Sequence, residues 1–581
     1  MMTGRRAVAD GAPSNHWKRA NSAALLLSAS WILCSVSAHA QVVPQTGGTL
    51  SDQFDEPELP QSQVVEPFRI QTPRDPSPQI QQQAFLVRQI TIDGAEQFPT
   101  LDLSTLTNTV EGREVTLGEL NALASQITGR LAREGYALSF AIVPEQIVED
   151  GMVRLRIVQG TIDAIEIQFD EGSLPVGRAR IEGAIRERLS RLVANGAVRT
   201  AELERAVLGI NDLSGITVSV VISPSESVEG AATLQVMVDT DRYNLLVGSD
   251  NRLRDEYGNE QIYAVIAVNS LLFVGDSLEV SARTGFDTDA FSYFSGAYET
   301  SLGRSLARAR VHYSTAQTEA QSGALRLLEF DGEEQTWGAS LSYPIIRSRA
   351  RTLTASLAFD GTDTQSNLFG VPVVDENIRT FSARVSYDWA SGDGALSLFS
   401  VGLTKGISGL GATGRNNPLR SRSAGNPDAT FANFRLYRNQ PLPAGFYFRY
   451  NGEAQLQISS GGLQAANECT FGGPAIGRAY DAGFLSGDDC LLVSAEIARP
   501  SPVASTVIEP YAYFDWGRAY QRGRLSPGER SVSSAESFGL GLRIFARIGL
   551  RADVQLAFPT DRAFPGDDRN PRLFFTISFQ R

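Results

Sequence analysis

Apolar and polar residues alternate in short runs from Tyr243 to the end of the chain, and this pattern constrains the fold most. Residues 277–283, 352–359 and 381–389 are three such runs. Alternation with a period of two gives a β-strand one apolar face and one polar face. The apolar face meets lipid in a membrane barrel, or the dry core in a soluble β-sandwich. The pattern alone therefore leaves both architectures open.

The number of strands separates the two architectures. The candidate strands begin near Tyr243, Ile262, Ser277, Phe291, Leu306, Thr336, Thr352, Arg379, Ala395, Thr430, Phe446, Cys490, Val507, Glu536, Gly549 and Pro571. These are about sixteen strands, an even number, each near the ~10 residues that cross a membrane. One unbroken meander over residues 242–581 is too long for a sandwich of ~100 residues. We therefore predict an all-β transmembrane barrel of about 16 antiparallel strands, closed by the aromatic-ended run at 572–579.

Two small α/β domains are predicted before the barrel. In residues 83–160 a helix is predicted at 117–133, because apolar residues recur there at helical spacing after a capping box of Thr116 and Glu119. Strands are predicted at 85–93, 136–143 and 152–158. Residues 161–241 repeat this architecture with an unrelated sequence.

The second domain is predicted from the same signals. Its strands and helices are expected at 162–169, 178–194, 201–208, 216–222 and 232–239. Thr200 is the predicted N-cap of the helix at 201–208, and Glu202 suits the positive end of its dipole. On the residues alone, both domains could equally be ordinary soluble modules with no partner.

The first 40 residues have the features of a secretory signal peptide. A positively charged start precedes an apolar run of about 15 residues, and residues 38–40 form a small-x-small cleavage site. A membrane anchor is the alternative, but a spanning helix needs about 20 apolar residues. Residues 41–82, rich in proline and glutamine, are predicted to be a linker with a candidate short helix near 50–59.

A glycine-rich stretch at residues 471–483 carries one arginine, Arg478, among small residues. Further on, Asp515 lies inside an otherwise aromatic strand, which is costly unless the charge finds a partner. We predict that residues 459–490, the lumen loop, fold back into the barrel and that Arg478 pairs with Asp515. The alternative is a solvated arginine in an external loop and an acid that faces water, neither contacting the other.

Cys469 and Cys490 are the two cysteines that remain after the predicted cleavage, and they bracket the glycine-rich stretch. Exported proteins mature where disulfides form. A bridge between them would stabilise the loop by about 3 kcal/mol on the loop-entropy account. Two free thiols are the alternative.

Several classes of function are excluded by composition. His312 is the one histidine beyond the first 40 residues, which excludes histidine-based metal sites and Ser-His-Asp catalysis. A GxGxxG pattern at 409–414 leads into Pro418 with no predicted helix, so an external loop is preferred to a phosphate site. The net charge of −13 argues against nucleic-acid binding. We therefore predict no enzyme activity, no metal, no cofactor and no nucleotide partner.

Three short motifs resemble those of a known family. Residues 135–139 (GYALS), with 143–146 (VPEQ), resemble the first periplasmic POTRA domain of two-partner secretion translocators, the hemolysin and filamentous-hemagglutinin transporter family. Residues 476–480 resemble the V-R-G-F/Y loop motif of that superfamily, with Gly477 and Ala479 as departures. Residues 514–517 are similar to its F-x-D-x-G strand motif.

The resemblance implies a signal peptide, a linker that can carry a plug helix, two α/β POTRA domains at 83–160 and 161–241, and a sixteen-stranded outer-membrane barrel. It implies that Arg478 and Asp515 form a loop–barrel lock. The remaining implied site residues are Gly477, Tyr480, Phe514 and Gly517 in the lock motif, and Gly135, Tyr136, Pro144 and Gln146 as candidates for substrate binding by the first POTRA domain.

The implied function is ATP-independent secretion of one large adhesin or hemolysin across the outer membrane of a Gram-negative bacterium. The POTRA domains would lie in the periplasm and the barrel in outer-membrane lipid. Two other functions stay open: an outer-membrane protein insertase of the same superfamily, and a general diffusion porin.

Overall fold

The computed structural model describes residues 68–70, 84–98, 100–170, 177–193, 196–228, 230–481, 483–525, 530–561 and 569–581. The predicted signal peptide and nearly all of the predicted linker, with its candidate helix, lie outside these residues. The described part of the linker is a short strand, β1 (Phe68–Ile70). Among the described residues, no helix is both long and apolar enough to cross a membrane.

The first α/β domain is built around one amphipathic helix. Its elements are β2 (Ala84–Val87), β3 (Gln89–Asp93), α1 (Ser104–Thr107), β4 (Arg113–Thr116), α2 (Leu117–Arg133), β5 (Phe140–Ile142) and β6 (Met152–Val158). The predicted capping box starts α2: Glu119 N donates to Thr116 Oγ1 at 3.2 Å, and Thr116 N donates to Glu119 Oε2 at 2.8 Å. Strand β6 lies between β3 and β5.

The predicted strand at 136–143 is mostly wrong, because its first half forms the junction between the two α/β domains. Gly135 adopts a positive φ of 90° at the end of α2, and the Tyr136 ring packs edge-on against Phe98. The Gly135 carbonyl accepts hydrogen bonds from Thr200 N at 2.9 Å and Thr200 Oγ1 at 3.1 Å. A Cβ added at Gly160 would lie 2.3 Å from the Leu138 backbone, so this contact requires glycine.

The second domain continues directly from this junction. Its elements are β7 (Thr161–Phe169), α3 (Arg178–Val193), α4 (Thr200–Asn211), β8 (Ile216–Pro224) and β9 (Ala231–Thr240). Strand β1 extends this sheet by pairing in parallel with residues 220–222 of β8. The predicted N-cap role of Thr200 is wrong: it is the first residue of α4, and its hydroxyl bonds the first domain instead.

The barrel follows, and its strands match the sixteen predicted ones. They are β10 (Tyr243–Asp250), β11 (Gln261–Asn269), β12 (Ser277–Gly285), β13 (Phe291–Ser301), β14 (Arg308–Glu319), β15 (Asp331–Arg347), β16 (Arg351–Leu368), β17 (Val371–Ala390), β18 (Leu396–Gly406), β19 (Thr430–Pro441), β20 (Tyr447–Gln457), β23 (Asp489–Ala498), β25 (Thr506–Tyr520), β26 (Val532–Ala546), β27 (Leu550–Pro559) and β28 (Arg572–Gln580). Between them lie β21 (Cys469–Phe471) and β22 (Leu485–Gly487) in the lumen loop, and β24 (Ser501–Val503) in a turn.

Every neighbouring pair of barrel strands is antiparallel, and the barrel closes where β28 pairs with β10. Exposed apolar side chains lie at alternate positions along the strands, as on β27, where Val554 and Leu556 point outward and Gln555 is buried. Strands β15, β16 and β17 have 17, 18 and 20 residues, well beyond the ~10 expected for crossing a membrane.

The second α/β domain contacts one end of the barrel. Asp212, just after α4, receives two hydrogen bonds from Arg347 at 2.6 and 3.0 Å, and Arg347 ends β15. The Glu204 carboxylate accepts a bond from the backbone N–H of Arg349 in the next turn. These contacts fix which end of the barrel faces the α/β domains, and the turns at the other end form its far mouth.

Candidate functional site

The lumen loop contacts the inner wall of the barrel on strands β23, β25 and β26. Residues 459–488 run between β20 and β23, and the last two residues of the predicted loop belong to β23. Strands β21 and β22 pair as a short antiparallel ribbon at the start and end of the glycine-rich stretch. The tip beyond this ribbon carries Arg478.

Arg478 and Asp515 form the predicted pair. Arg478 Nε donates to Asp515 Oδ2 at 3.1 Å and Arg478 Nη2 donates to Asp515 Oδ1 at 3.0 Å, a two-pronged arrangement. The backbone N–H groups of Gly477 and Arg478 donate to the same carboxylate at 3.1 and 2.8 Å. Asp515 is fully buried and Arg478 is 6% exposed. The guanidinium also lies 3.7 Å from the centre of the Tyr513 ring.

Two glycines of the predicted motif make this approach possible. Gly477 has a φ of 87°, and a Cβ there would lie 2.7 Å from the backbone nitrogen of Gly472. A Cβ at Gly517 would lie 2.3 Å from the Phe471 ring, which covers this glycine at the wall. Each glycine therefore leaves room for one close contact between loop and barrel.

Tyr480 fixes the other side of the loop tip. Its hydroxyl donates to the Glu536 carbonyl at 2.7 Å and accepts from the backbone N–H groups of Thr560 and Asp561 at 2.9 and 2.8 Å. The tip therefore bonds two regions of the wall, one through Arg478 and one through Tyr480.

The prediction that Phe514 belongs to the lock motif is wrong. Its side chain is 46% exposed, whereas Tyr513 and Asp515 on either side are buried. Successive side chains of a strand point to opposite faces, so Phe514 faces outward when Asp515 faces the lumen. Its position is that of a lipid-facing residue.

A second acid, Glu496 on β23, was missed by the sequence analysis. Glu496 Oε2 accepts from Arg478 Nη1 at 2.6 Å, and Ser494 on the same strand accepts from Arg478 Nη2 at 2.9 Å. Glu496 also contacts Arg449 at 2.9 Å and Arg543 at 2.7 Å. The signal that could have identified it is the one used for Asp515: a charged residue inside an otherwise apolar strand.

The lock pair thus belongs to a larger buried network, named here the wall network. Its six charged members are Arg449, Arg478, Arg543, Glu496, Glu509 and Asp515. Glu509 joins the two wall arginines by accepting from Arg449 at 2.8 and 2.9 Å and from Arg543 at 3.0 Å. Three positive and three negative charges balance in this network.

The ionisation of Arg478 follows from these contacts. Burial disfavours its charged form, but the facing carboxylates of Asp515 and Glu496 outweigh burial, so the pKa of Arg478 is raised above its ordinary value. The loop tip therefore carries a fixed positive charge at every pH at which the barrel is folded.

Cys469 and Cys490 are joined as a disulfide in the structure, with their Cα atoms 6.4 Å apart. Cys469 begins β21 in the loop, whereas Cys490 lies on β23 in the barrel wall. The bridge therefore attaches the loop to the wall and closes a ring over residues 470–489, named here the ring.

The four POTRA candidates have internal contacts in this structure. Gly135 and Tyr136 lie at the junction between the two α/β domains, where Arg199 also covers the Tyr136 ring. The Gln146 side-chain amide accepts from Arg154 N at 2.7 Å and donates to Arg154 O at 2.8 Å, and so pairs with β6 as the backbone of a neighbouring strand would. Pro144 is half-buried and lies two residues after the end of β5. Their role in substrate binding stays a prediction.

Family comparisons agree with this architecture. The haemolysin secretion/activation protein ShlB/FhaC/HecB family matches residues 232–544, and the ShlB-type POTRA domain matches residues 85–160. The first match covers more than half of the chain.

Individual relatives are distant in sequence and similar over most of their length. The heme/hemopexin transporter protein HuxB of Haemophilus influenzae is 23% identical over 82% of this chain and 83% of its own. The outer membrane transporter CdiB of Dickeya dadantii is 22% identical over 74% and 77%. The solved structure of CdiB from Escherichia coli superposes with a TM-score of 0.69 at 16% identity, over 88% of this chain and 93% of CdiB.

Proposed function

This chain belongs to the haemolysin secretion/activation family ShlB/FhaC/HecB and is an outer-membrane protein transporter, and we propose that it secretes one large partner without ATP. Its barrel lies in the outer membrane and its POTRA domains lie in the periplasm.

Capture of an unfolded partner is assigned to an exposed sheet edge of the POTRA domains. Strand β5 is the outer strand of the order β3–β6–β5, so its far edge is the candidate for main-chain pairing with an extended peptide. The peptide would have to displace the hydrogen bond that Ala141 N donates to Thr128 Oγ1 at 2.9 Å. Strand β6 (Met152–Val158) is central and has neighbours on both sides, so it offers no free edge. Main-chain pairing demands little of the partner's side chains, which suits an unfolded substrate.

The observation that carries the proposal is the burial of Arg478 against Asp515 inside a closed barrel. A loop held to the wall by a two-pronged ion pair has one defined position. The lock pair would hold the tip of the lumen loop in the position from which transport starts. The partner would then thread the aqueous lumen, and its folding outside would make the passage one-directional.

Independence from ATP is supported by the loop that contains the GxGxxG pattern. Residues 409–414 lie between β18 and β19, and no helix follows them within this described loop. A phosphate cradle of that type aims its ligand at a helix N-terminus.

Deleting the gene tests the proposal. One large protein is expected to disappear from the culture supernatant and to collect in the periplasm, and plasmid-borne parent chain is expected to restore it. Quantitative mass spectrometry of supernatant, periplasm and outer membrane provides the measurement. An unchanged supernatant would rule the function out. Loss of many barrel proteins from the outer membrane would instead indicate an insertase, and loss of small-solute uptake alone would indicate a porin.

A further inference from the structure

A second buried arginine holds the lumen loop at the far mouth of the barrel, away from the lock pair. Residues 407–429, the mouth loop, join β18 to β19. Gly462 of the lumen loop donates its N–H to the Ala424 carbonyl at 2.9 Å and accepts from Asn426 N at 2.9 Å. Two loops far apart in sequence therefore pair through their backbones.

Arg422 extends from the mouth loop into the base of the lumen loop. Its Nη1 donates to the Leu463 carbonyl and to Asp488 Oδ1, each at 2.9 Å, and its Nη2 donates to Gln521 Oε1 at 2.6 Å. The carboxyl group of Glu468 lies next to the same guanidinium. The side chains of Arg422, Glu468 and Asp488 are at most 1% exposed, so this cluster is among the least accessible in the described chain.

The cluster lies next to the disulfide in the sequence. Glu468 precedes Cys469, and Asp488 comes two residues before Cys490. Arg422 therefore bridges the two chain segments that enter the ring, at the point where the disulfide also joins them. Any movement of the whole lumen loop would have to break both anchors, because Cys490 belongs to the barrel wall.

We propose that Arg422 is a positioning residue which, together with the Cys469–Cys490 bridge, keeps the base of the lumen loop fixed during secretion, so that movement is confined to the part of the ring between β21 and β22. The inference rests on the proposed secretion function. It separates the loop into a static base at the mouth and a mobile tip that carries Arg478.

The base anchor is expected to depend on pH through Glu468. Burial raises the pKa of Glu468 from 4.5 to about 7; Arg422 opposes this shift and the facing carboxylate of Asp488 adds to it. Glu468 therefore keeps its proton while this part of the loop is anchored and releases it more easily once the anchor opens. The stabilisation of the anchored state by Glu468 is complete below pH 4.5 and is lost as the pH rises through about 7. Protection factors for amide exchange at residues 463–468, from which the intrinsic pH dependence of exchange has been divided out, should therefore be larger at pH 5.5 than at pH 8. Glu468→Gln should remove this difference, and a difference that persists in that variant would exclude Glu468 as its source.

Arg422→Met tests the positioning role, with Arg415→Met as the matched control. Arg415 lies in the same loop, but its side chain is 61% exposed and pairs with Asp428 at 3.3 Å. Arg422→Met should speed hydrogen exchange at residues 463–468 at least about tenfold, and Arg422→Lys should restore part of the protection. A purely structural role would lower the amount of heat-modifiable barrel without this local change. Equal exchange in the two methionine variants would overturn the assignment.

A cross-link tests the static base directly. A Cβ at Gly462 lies 3.2 Å from the Ala424 Cβ, slightly closer than in a natural disulfide, so Ala424→Cys with Gly462→Cys should bridge the loops after a small adjustment. The protein lost from the deletion strain's supernatant is the reporter, and the parent chain under the same reductant is the control. Secretion should be equal within about twofold whether the new bridge is oxidised or reduced. A tenfold loss on oxidation, restored by reductant, would show that the base opens and would leave the secretion function intact.

Discussion

The substitution Arg478→Ala is expected to lower secretion about a hundredfold while the barrel still assembles. It leaves the Asp515 carboxylate fully buried with two backbone N–H donors and no cation of its own. Removing one partner of a buried ion pair costs about 3–5 kcal/mol, and about 3 kcal/mol corresponds to a hundredfold change in the ratio of locked to unlocked loop. The measurement is the amount of partner in the supernatant, normalised to heat-modifiable barrel in the outer membrane.

Asp515→Ala should have a similar effect, because it removes the other half of the same contact. The double variant should be no worse than either single one, since both changes abolish one interaction. Arg415→Ala is the control for loss of one arginine from a loop. Full secretion by both lock variants would remove the lock from the mechanism and leave the family assignment untouched.

The substitution Glu496→Gln is expected to destabilise the barrel itself. Glu496 contacts Arg449, Arg478 and Arg543, and it is 5% exposed. A neutral amide of the same shape leaves three buried guanidinium groups with two carboxylates. By the cost of breaking a buried pair, the free energy of unfolding should fall by about 3–5 kcal/mol.

Glu453→Gln is the matched control for this change. Glu453 lies on β20 and pairs with Arg435 at 3.1 Å, but both side chains are about one third exposed, where an ion pair contributes little. The temperature at which each purified barrel loses its heat-resistant migration is the measurement. Equal temperatures for the two glutamine variants would contradict the central position of Glu496.

The barrel was predictable because its signal is local. Each strand shows apolar and polar residues alternating with a period of two, so counting these alternating runs located all sixteen strands. The early starts of β15 at Asp331 and β17 at Val371 were not predicted, because neither extension alternates. Residues 331–335 carry no apolar side chain, and the extension of β17 opens with three valines around Pro372.

The site was predictable only where a sequence motif marks each partner. Arg478 and Asp515 stand out because each is charged among uncharged neighbours. Which other charges reach them depends on strand register: Ser494 pairs with Asp515 across β23 and β25, which brings Glu496 to the same inner face. No local pattern encodes that register. The strand expected from Tyr136 and the N-cap expected at Thr200 were wrong for a related reason, since each residue contacts the neighbouring domain, Tyr136 through Arg199 and Thr200 through Ala137.

The charge balance of the wall network has an electrical consequence. With the loop tip seated, three arginines offset three carboxylates. Once Arg478 departs, the lining keeps one excess negative charge, and an anionic lining admits cations in preference to anions. A barrel in which the tip of the lumen loop has left the wall should therefore pass a cation-selective current. The reversal potential of single channels then reports the position of the tip in the absence of the secreted partner.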